Sequence, residues 1–74
     1  MLYFTGIQHT KSGDIVIPTL GYENYDDCKQ KCSHEMDYAI SNKDFLGLTI
    51  LVFDGNGNKN DDLSDNWIRQ NTAE

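Results

Sequence analysis

Basic side chains are scarce in this chain. Six Lys and Arg residues stand against twelve Asp and Glu residues, which gives a formal net charge of −6 over 74 residues. Proteins that bind nucleic acid displace counterions with basic patches, and the sequence contains none. An anionic membrane surface is disfavoured for the same reason. The composition therefore predicts no nucleic-acid and no membrane partner, and it leaves a basic protein or a cation open.

Long apolar runs and cysteine are also scarce. No run of about 18 apolar residues occurs, so no segment is predicted to span a membrane. The first ten residues lack a basic leader, and we therefore expect no signal peptide and a cytoplasmic location. Two cysteines are few for a disulfide-stapled protein. A domain this short buries only about 60% of its unfolded surface, so self-association is the expected source of extra stability.

The N-terminal part of the chain predicts a β-hairpin. Residues 2–9 are rich in aromatic and β-branched side chains and read as a strand, and residues 15–20 read as its returning partner. Residues 10–14 form the turn, with Gly13 able to take a positive φ. Pro18 has no amide donor, which places the second strand at a sheet edge.

The middle of the chain changes to a helical period. Asn24 is a good N-cap, and an apolar stripe predicts a helix over residues 25–42; the stripe consists of Tyr25, Cys28, Cys32, Met36 and Ala39. Residues 45–53 are the most apolar stretch and read as a strand with both faces buried. A weak fourth strand is expected near residues 58–63, followed by a turn or short helix that docks Trp67.

These elements predict a single α+β domain with the order β-β-α-β-β over residues 1–70. A right-handed crossover places the third strand beside the first, so the expected sheet is four-stranded, mainly antiparallel and ordered 2-1-3-4. One helix then packs on one face of this sheet. Residues 71–74 are expected to fray.

One helix leaves the second face of the predicted sheet uncovered. Apolar side chains alternate to both faces: Tyr3, Ile7, Leu51 and Phe53 on one, and Leu2, Phe4, Leu46, Leu48, Ile50 and Val52 on the other. An exposed apolar patch of this kind marks an interface. We expect a second copy or a target protein to cover the open face. A further candidate interface is the acidic segment beside the single tryptophan, which carries Asp61, Asp62, Asp65 and Trp67.

Residues 54–65 are spaced like a calcium-binding loop. Counting from Asp54, oxygen ligands stand at the first, third, fifth and twelfth positions, as Asp54, Asn56, Asn58 and Asp65. The sixth position, however, is Lys59 where such loops need Gly, and the twelfth is Asp where they prefer Glu. The Asp-Gly and Asn-Gly pairs favour a plain hairpin turn, so no metal and no cofactor is the leading expectation. A cation site remains the alternative.

Two further clusters of potentially reactive side chains are expected to have plain structural or surface roles. Cys28 and Cys32 lie four apart on the predicted helix, but zinc needs four ligands, and His34 and His9 do not complete the set, so both thiols are expected in the core. Helical geometry also disfavours a disulfide between them. His34, Glu35 and Tyr38 lack the pocket that a catalytic cluster needs, and we expect no enzyme.

Residues 21–58 resemble a loose group of small phage- and prophage-associated proteins of Gram-positive bacteria. The matching residues are Gly21, Tyr22, His34, Glu35, Tyr38, Ala39, Asp54 and Gly57. The resemblance covers about half the chain and carries no known activity. It implies a mobile-element setting, in which small acidic proteins bind and block host defence proteins, and hence the cytoplasm of the host cell. The Asn- and Asp-rich segment after residue 57 departs from the pattern.

Together these features predict a small acidic protein-binding module without catalytic activity. It would act as a homo-oligomer and inhibit a host protein, with part of its acidic surface able to mimic nucleic acid. The alternative is a cation-binding or sensing module that uses residues 54–65.

Overall fold

A computed structural model describes residues 1–70, which form four strands and one helix. In chain order these elements are β1 (Leu2–Thr10), β2 (Gly13–Tyr22), α1 (Tyr25–Ser41), β3 (Phe45–Asp54) and β4 (Asp65–Ile68). All neighbouring strands are antiparallel, and the sheet order is β2-β1-β3-β4. The predicted α+β fold and strand order are confirmed. The expected frayed tail, residues 71–74, lies outside the described residues.

The tight turn of the β1–β2 hairpin is stabilised by a glycine with positive φ and by hydrogen bonds between residues of the turn. Gly13 adopts a φ of +126°, a conformation that side chains disfavour. The Thr10 hydroxyl donates to the Gly13 carbonyl at 2.6 Å and accepts from the Ser12 amide at 3.2 Å. β1 therefore ends at Thr10 and β2 begins at Gly13, so both strands reach closer to the turn than the predicted ranges 2–9 and 15–20.

Pro18 sits in a β-bulge on the edge strand. Phe4 pairs with Leu20 and Gly6 with Ile17, so two residues of β2, Pro18 and Thr19, face the single residue Thr5. A bulge is one of the few places where a sheet accepts proline, because the missing amide has no ladder partner to serve. Edge placement of β2 follows from the sheet order and confirms the prediction from Pro18.

The helix begins where the N-cap signal predicts. The Asn24 side chain accepts a hydrogen bond from the Asp26 amide at 2.8 Å, and acidic residues occupy the first turn. The predicted stripe buries Cys28, Cys32 and Ala39, whereas Tyr25, at the first helical position, is exposed.

The core lies between α1 and one face of the sheet. Phe4, Leu48 and Val52 are fully buried, and the other buried apolar side chains are Ile17, Cys28, Cys32, Ala39, Phe45, Ile50 and Leu63. The smallest dimension of the molecule is 16 Å, which is enough for one helix layer on one sheet layer. Nothing in residues 1–70 forms a layer on the opposite face. Within one chain, residues 45–53 are therefore buried on the helix side, and burial of their second face stays a prediction.

The fourth strand lies later in the chain than predicted. Within residues 58–63, only Lys59 forms a bridge, to Phe53, and β4 begins at Asp65. The Asn60 side chain accepts from the Leu63 amide at 3.0 Å and its carbonyl accepts from the Ser64 amide at 3.0 Å, which folds this segment into a turn that buries Leu63. Trp67, expected in a turn or helix, lies within β4 and pairs with Leu48.

Arg69 closes the end of the helix. Its guanidinium donates to the carbonyls of Ala39, Ile40 and Asn42 at 3.0–3.1 Å, and its Nε donates to the Phe45 carbonyl at 2.7 Å. The last turn of α1 has no basic residue of its own. Arg69, the residue after β4, thus supplies the positive charge that a helix C-terminus favours.

Candidate functional site: the open sheet face

The face of the sheet opposite the helix, called the open face below, carries a row of apolar side chains. Those on the central strands are Tyr3 and Ile7 of β1 and Leu51 and Phe53 of β3, as the alternation predicts. Leu51 is 39% exposed, and the flanking Val16 and Ile68 are 67% and 64% exposed. No element within residues 1–70 packs on this row, so it stays accessible to another molecule.

The two aromatic residues of the open face form a stacked pair. Tyr3 and Phe53 face each other across β1 and β3, and their rings stack with centroids 5.6 Å apart and planes 21° apart. Stacked aromatic pairs present a large apolar area at little cost in side-chain entropy. This pair forms one end of the open face.

The other end of the open face is shaped by a bulge at Leu46. His9 pairs with Gly47 and Thr10 with Phe45, so Leu46 is an extra residue in β3. The bulge interrupts the alternation that predicted Leu46 on the helix face; the residue is 46% exposed and turns to the open side. It lines a shallow depression of about 370 Å³ together with His9, Gly47, Asn66 and Ile68.

Four polar side chains, one from each strand, form a hydrogen-bonded row beside this depression; we call it the polar row. Asp14 Oδ1 of β2 lies 3.0 Å from His9 Nδ1 of β1, and His9 Nε2 lies 3.0 Å from Thr49 Oγ1 of β3. The Thr49 hydroxyl donates to Asn66 Oδ1 of β4 at 2.8 Å. The row therefore ties all four strands together across the open face.

The polar row has the order carboxylate, imidazole and hydroxyl that nucleophilic hydrolases use. Such a site also needs free N–H donors for the oxyanion. The backbone around Thr49 offers none, because residues 47–50 pair with β1 on one side and with β4 on the other. The geometry instead places an ionisable ring on an exposed sheet face, close to the hairpin turn.

The structure separates the predicted interface residues into two groups. Tyr3, Ile7, Leu51 and Phe53 lie together on the open face. The second group does not join them: Asp61 and Asp62 lie in the turn before β4, Asp65 pairs with Ile50, and Trp67 packs against the core from the helix side. The chain thus has two separate candidate surfaces.

The second surface is a groove of about 500 Å³ between α1 and the segment before β4; we call it the acidic groove. Its floor is apolar, formed by Cys32, Met36, Ile50 and Leu63. Asp37, Asp62 and Asp65 stand around it, against the single basic residue Lys29. The groove exists because α1 packs over β1, β2 and β3 and leaves the helix side of β4 uncovered.

The loop that is spaced like a calcium site uses its first carboxylate internally. Asp54 Oδ1 accepts from the amides of Asn56 and Asn58, each at 2.9 Å, and these bonds, first of all the one from Asn58, hold the pKa of the Asp54 carboxyl below its usual value. Asp65, the twelfth position, pairs with Ile50, which lies four residues before Asp54 on β3. At the usual rise per residue, this places Asp65 roughly 14 Å from Asp54. Among residues 1–70 no group of three His, Cys, Asp or Glu side chains is placed to hold a metal ion.

The cysteines and the helix histidine take structural or surface positions. Cys28 and Cys32 are free thiols in the core, and burial raises the pKa of both, that of Cys32 to about 12. His34 is exposed. Glu35 binds Lys31 at 2.8 Å and Gln8 at 3.3 Å, which fastens α1 to β1. Tyr38 makes an edge contact with Phe45, so these side chains do not converge on one point.

Sequence reasoning missed the polar row, and only part of it was accessible from local signals. His9 and Asp14 flank the hairpin turn, so their pairing follows from the turn alone. Thr49 and Asn66 join them only through the registers of β3 with β1 and with β4, which no local signal in the chain specifies.

Within residues 1–70 no helix is long and apolar enough to cross a membrane. Comparison with protein-family models, curated proteins and solved structures finds no match to this chain.

Proposed function

We propose that this protein is a small non-enzymatic binding module that pairs with a second copy through the open face and presents its acidic surface to a basic partner protein. The observation that carries the proposal is the uncovered apolar row of the open face, above all Leu51 at 39% exposure between half-buried neighbours. Apolar patches on small domains usually mark binding surfaces.

The size of the open face fits a weak pair. Nine residues of β1 span about 30 Å, and four strands at about 4.8 Å spacing give a face of roughly 400–500 Å². Two such faces together bury on the order of 1,000 Å², at the lower end of specific interfaces. Weak, transient complexes have interfaces of this size, so we expect a pair that dissociates readily.

Sedimentation of the purified chain over a concentration series tests the pairing. The expected result is a shift from one copy to two as the concentration rises through the micromolar range. Leu51→Glu should abolish the shift, because it places a charge in the middle of the buried face. A chain that remains monomeric at millimolar concentration overturns the proposal.

Leu20→Glu is a matched control for Leu51→Glu. Leu20 is 40% exposed, nearly the same as Leu51, but it pairs with the buried Phe4 and therefore lies on the helix side of β2. The control should pair like the wild-type chain once circular dichroism has shown that it is folded. Loss of pairing in both variants would point to general destabilisation instead of a specific face.

The basic partner is supported by the charge around the acidic groove. Three carboxylates and one Lys surround an apolar floor, which suits a basic side chain with an apolar stem. A host protein is the partner class that the resemblance to phage-associated proteins implies. Charge reversal at Asp62 and Asp65 should weaken capture of such a partner and reduce its salt dependence, whereas reversal at Asp26 and Asp27 should not.

A further inference from the structure

We propose that the His9–Asp14 pair makes association through the open face depend on pH, so that two copies bind more tightly when His9 is protonated. This inference rests on the proposed function, since it requires the open face to be the pairing surface. Its ground is the placement of a titratable ring, 3.0 Å from a carboxylate, on the surface that pairing would cover.

The ring is accessible in the single chain and covered in a pair. The His9 side chain is 34% exposed, so protons exchange with solvent freely. The polar row lies on the same sheet face as Leu51 and borders the depression that Leu46 lines. A second sheet packed on this face therefore removes His9 and Asp14 from water together.

Both ring nitrogens of His9 have a hydrogen-bond partner within the polar row. Nδ1 lies 3.0 Å from Asp14 Oδ1, and Nε2 lies 3.0 Å from Thr49 Oγ1. When the ring is protonated, both nitrogens donate to these oxygens. The imidazolium then neutralises Asp14, so the polar row carries no net charge into the interface.

Loss of the proton keeps these hydrogen bonds but removes the charge. In the neutral ring, Nδ1–H can still donate to Asp14 while Nε2 accepts from the Thr49 hydroxyl. Asp14 then has no neutralising charge, and each copy brings one uncompensated carboxylate into the interface. Burying an unpaired charge is costly, so the deprotonated form favours separate copies.

No other charge takes over the role of the ring. Around His9, β3 contributes Thr49 and Gly47, β4 contributes Asn66 and Ile68, and α1 packs on the opposite face of the sheet. Asp14 of β2 is the only charged side chain bonded to the ring within residues 1–70. Lys11 and Asp44, at the adjoining turns, are exposed and meet through their backbones.

The test measures the dissociation constant of the pair by sedimentation at about pH 5.5 and about pH 8, a range that covers ordinary imidazole titration. The wild-type constant should be about tenfold smaller at the lower pH, which is the linkage expected for proton uptake on pairing. His9→Gln should bind with the same constant at both pH values. His34→Gln is the matched control, because it removes an exposed imidazole away from the open face and should keep the wild-type difference.

Asp14→Asn gives a second, independent readout with the opposite sign. Without the carboxylate, the neutral ring leaves the face uncharged and the protonated ring leaves it positive. This variant should therefore pair more tightly at about pH 8 than at about pH 5.5. All variants are compared only after circular dichroism shows the wild-type fold at both pH values.

The outcomes separate the two proposals. Absence of pairing at every pH overturns the proposed function and this inference with it. Pairing with equal constants at both pH values, or a pH dependence that survives His9→Gln, overturns the inference and leaves pairing through the open face intact. A pH dependence that vanishes in His9→Gln, remains in His34→Gln and reverses in Asp14→Asn supports it.

Discussion

The guanidinium of Arg69 donates to the Ala39 carbonyl at 3.0 Å, which joins the end of the sheet to the last turn of the helix across 30 residues of sequence. The same side chain also reaches the Ile40, Asn42 and Phe45 carbonyls. The guanidinium also lies over the Trp67 ring, 4.9 Å from the indole centroid. One residue after β4 thus fastens α1, the start of β3 and the tryptophan together.

Replacement of Arg69 by Ala should lower the free energy of unfolding by about 2–4 kcal/mol, because the charged donor is lost and four backbone carbonyls lose this hydrogen-bond partner. Urea denaturation followed by Trp67 fluorescence measures the change. Lys59→Ala also removes one positive charge, but its contact with Asp61 is 3.5 Å long and exposed, so it should cost less than about 1 kcal/mol. Equal losses in the two variants would contradict the role of Arg69.

Stability should fall at alkaline pH because of Cys32. Burial raises the pKa of this thiol to about 12, above the ordinary thiol value, so the folded chain keeps a proton that the unfolded chain releases. The contribution of the protonated thiol is fully present below the ordinary thiol pKa and is lost as the pH rises toward about 12. The expected slope is about 1.4 kcal/mol per pH unit above about pH 9.

Cys32→Ala isolates this slope from other alkaline titrations. Its free energy of unfolding should depend less steeply on pH than that of the wild type between about pH 9 and pH 11. In the folded wild type, both buried thiols should also react slowly with Ellman's reagent, and denaturant should make them react fast. Parallel pH profiles for variant and wild type would show that Cys32 is not the source.

Asp54 should titrate at lower pH than an ordinary aspartate. The amides of Asn58 and Asn56 donate to its carboxylate and lower its pKa, so the stability that these bonds add is present above the ordinary Asp pKa and is lost as the pH falls through the folded value. Carbon NMR of the side-chain carboxyl measures the midpoint. The reference is the same carboxyl in an unfolded peptide of residues 52–60, and identical midpoints would refute the loop geometry.

Gly47 should tolerate no side chain. A Cβ at this position would lie 2.7 Å from the Trp67 carbonyl oxygen and 3.5 Å from the His9 ring, so β4 would have to shift. Gly47→Ala should therefore cost about 1–3 kcal/mol in urea denaturation. Gly55→Ala is the control: nothing lies within 4 Å of its Cβ, and the change should be neutral or slightly stabilising.

The sequence predicted the fold where signals are local. Asn24 marks the helix start, Pro18 marks an edge strand, and alternation sorts Phe4 from Tyr3. It misplaced β4, because Leu63 and Trp67 are too sparse to reveal a strand period and because the turn built by Asn60 depends on side-chain hydrogen bonds. Leu46 was assigned to the wrong face of the sheet, because the bulge that turns it to the open face has no signature in the local sequence.

The rims of the sheet set a limit on how this chain can assemble. One rim is β2, interrupted at Pro18 and Thr19, and the other is β4, which has only four residues. Both are poor templates for an added strand, so we expect no sideways extension of the sheet into fibres. The proposed twofold pair through the open face would be closed, because each copy would use the same patch. Rising concentration would then increase the number of pairs and not their size.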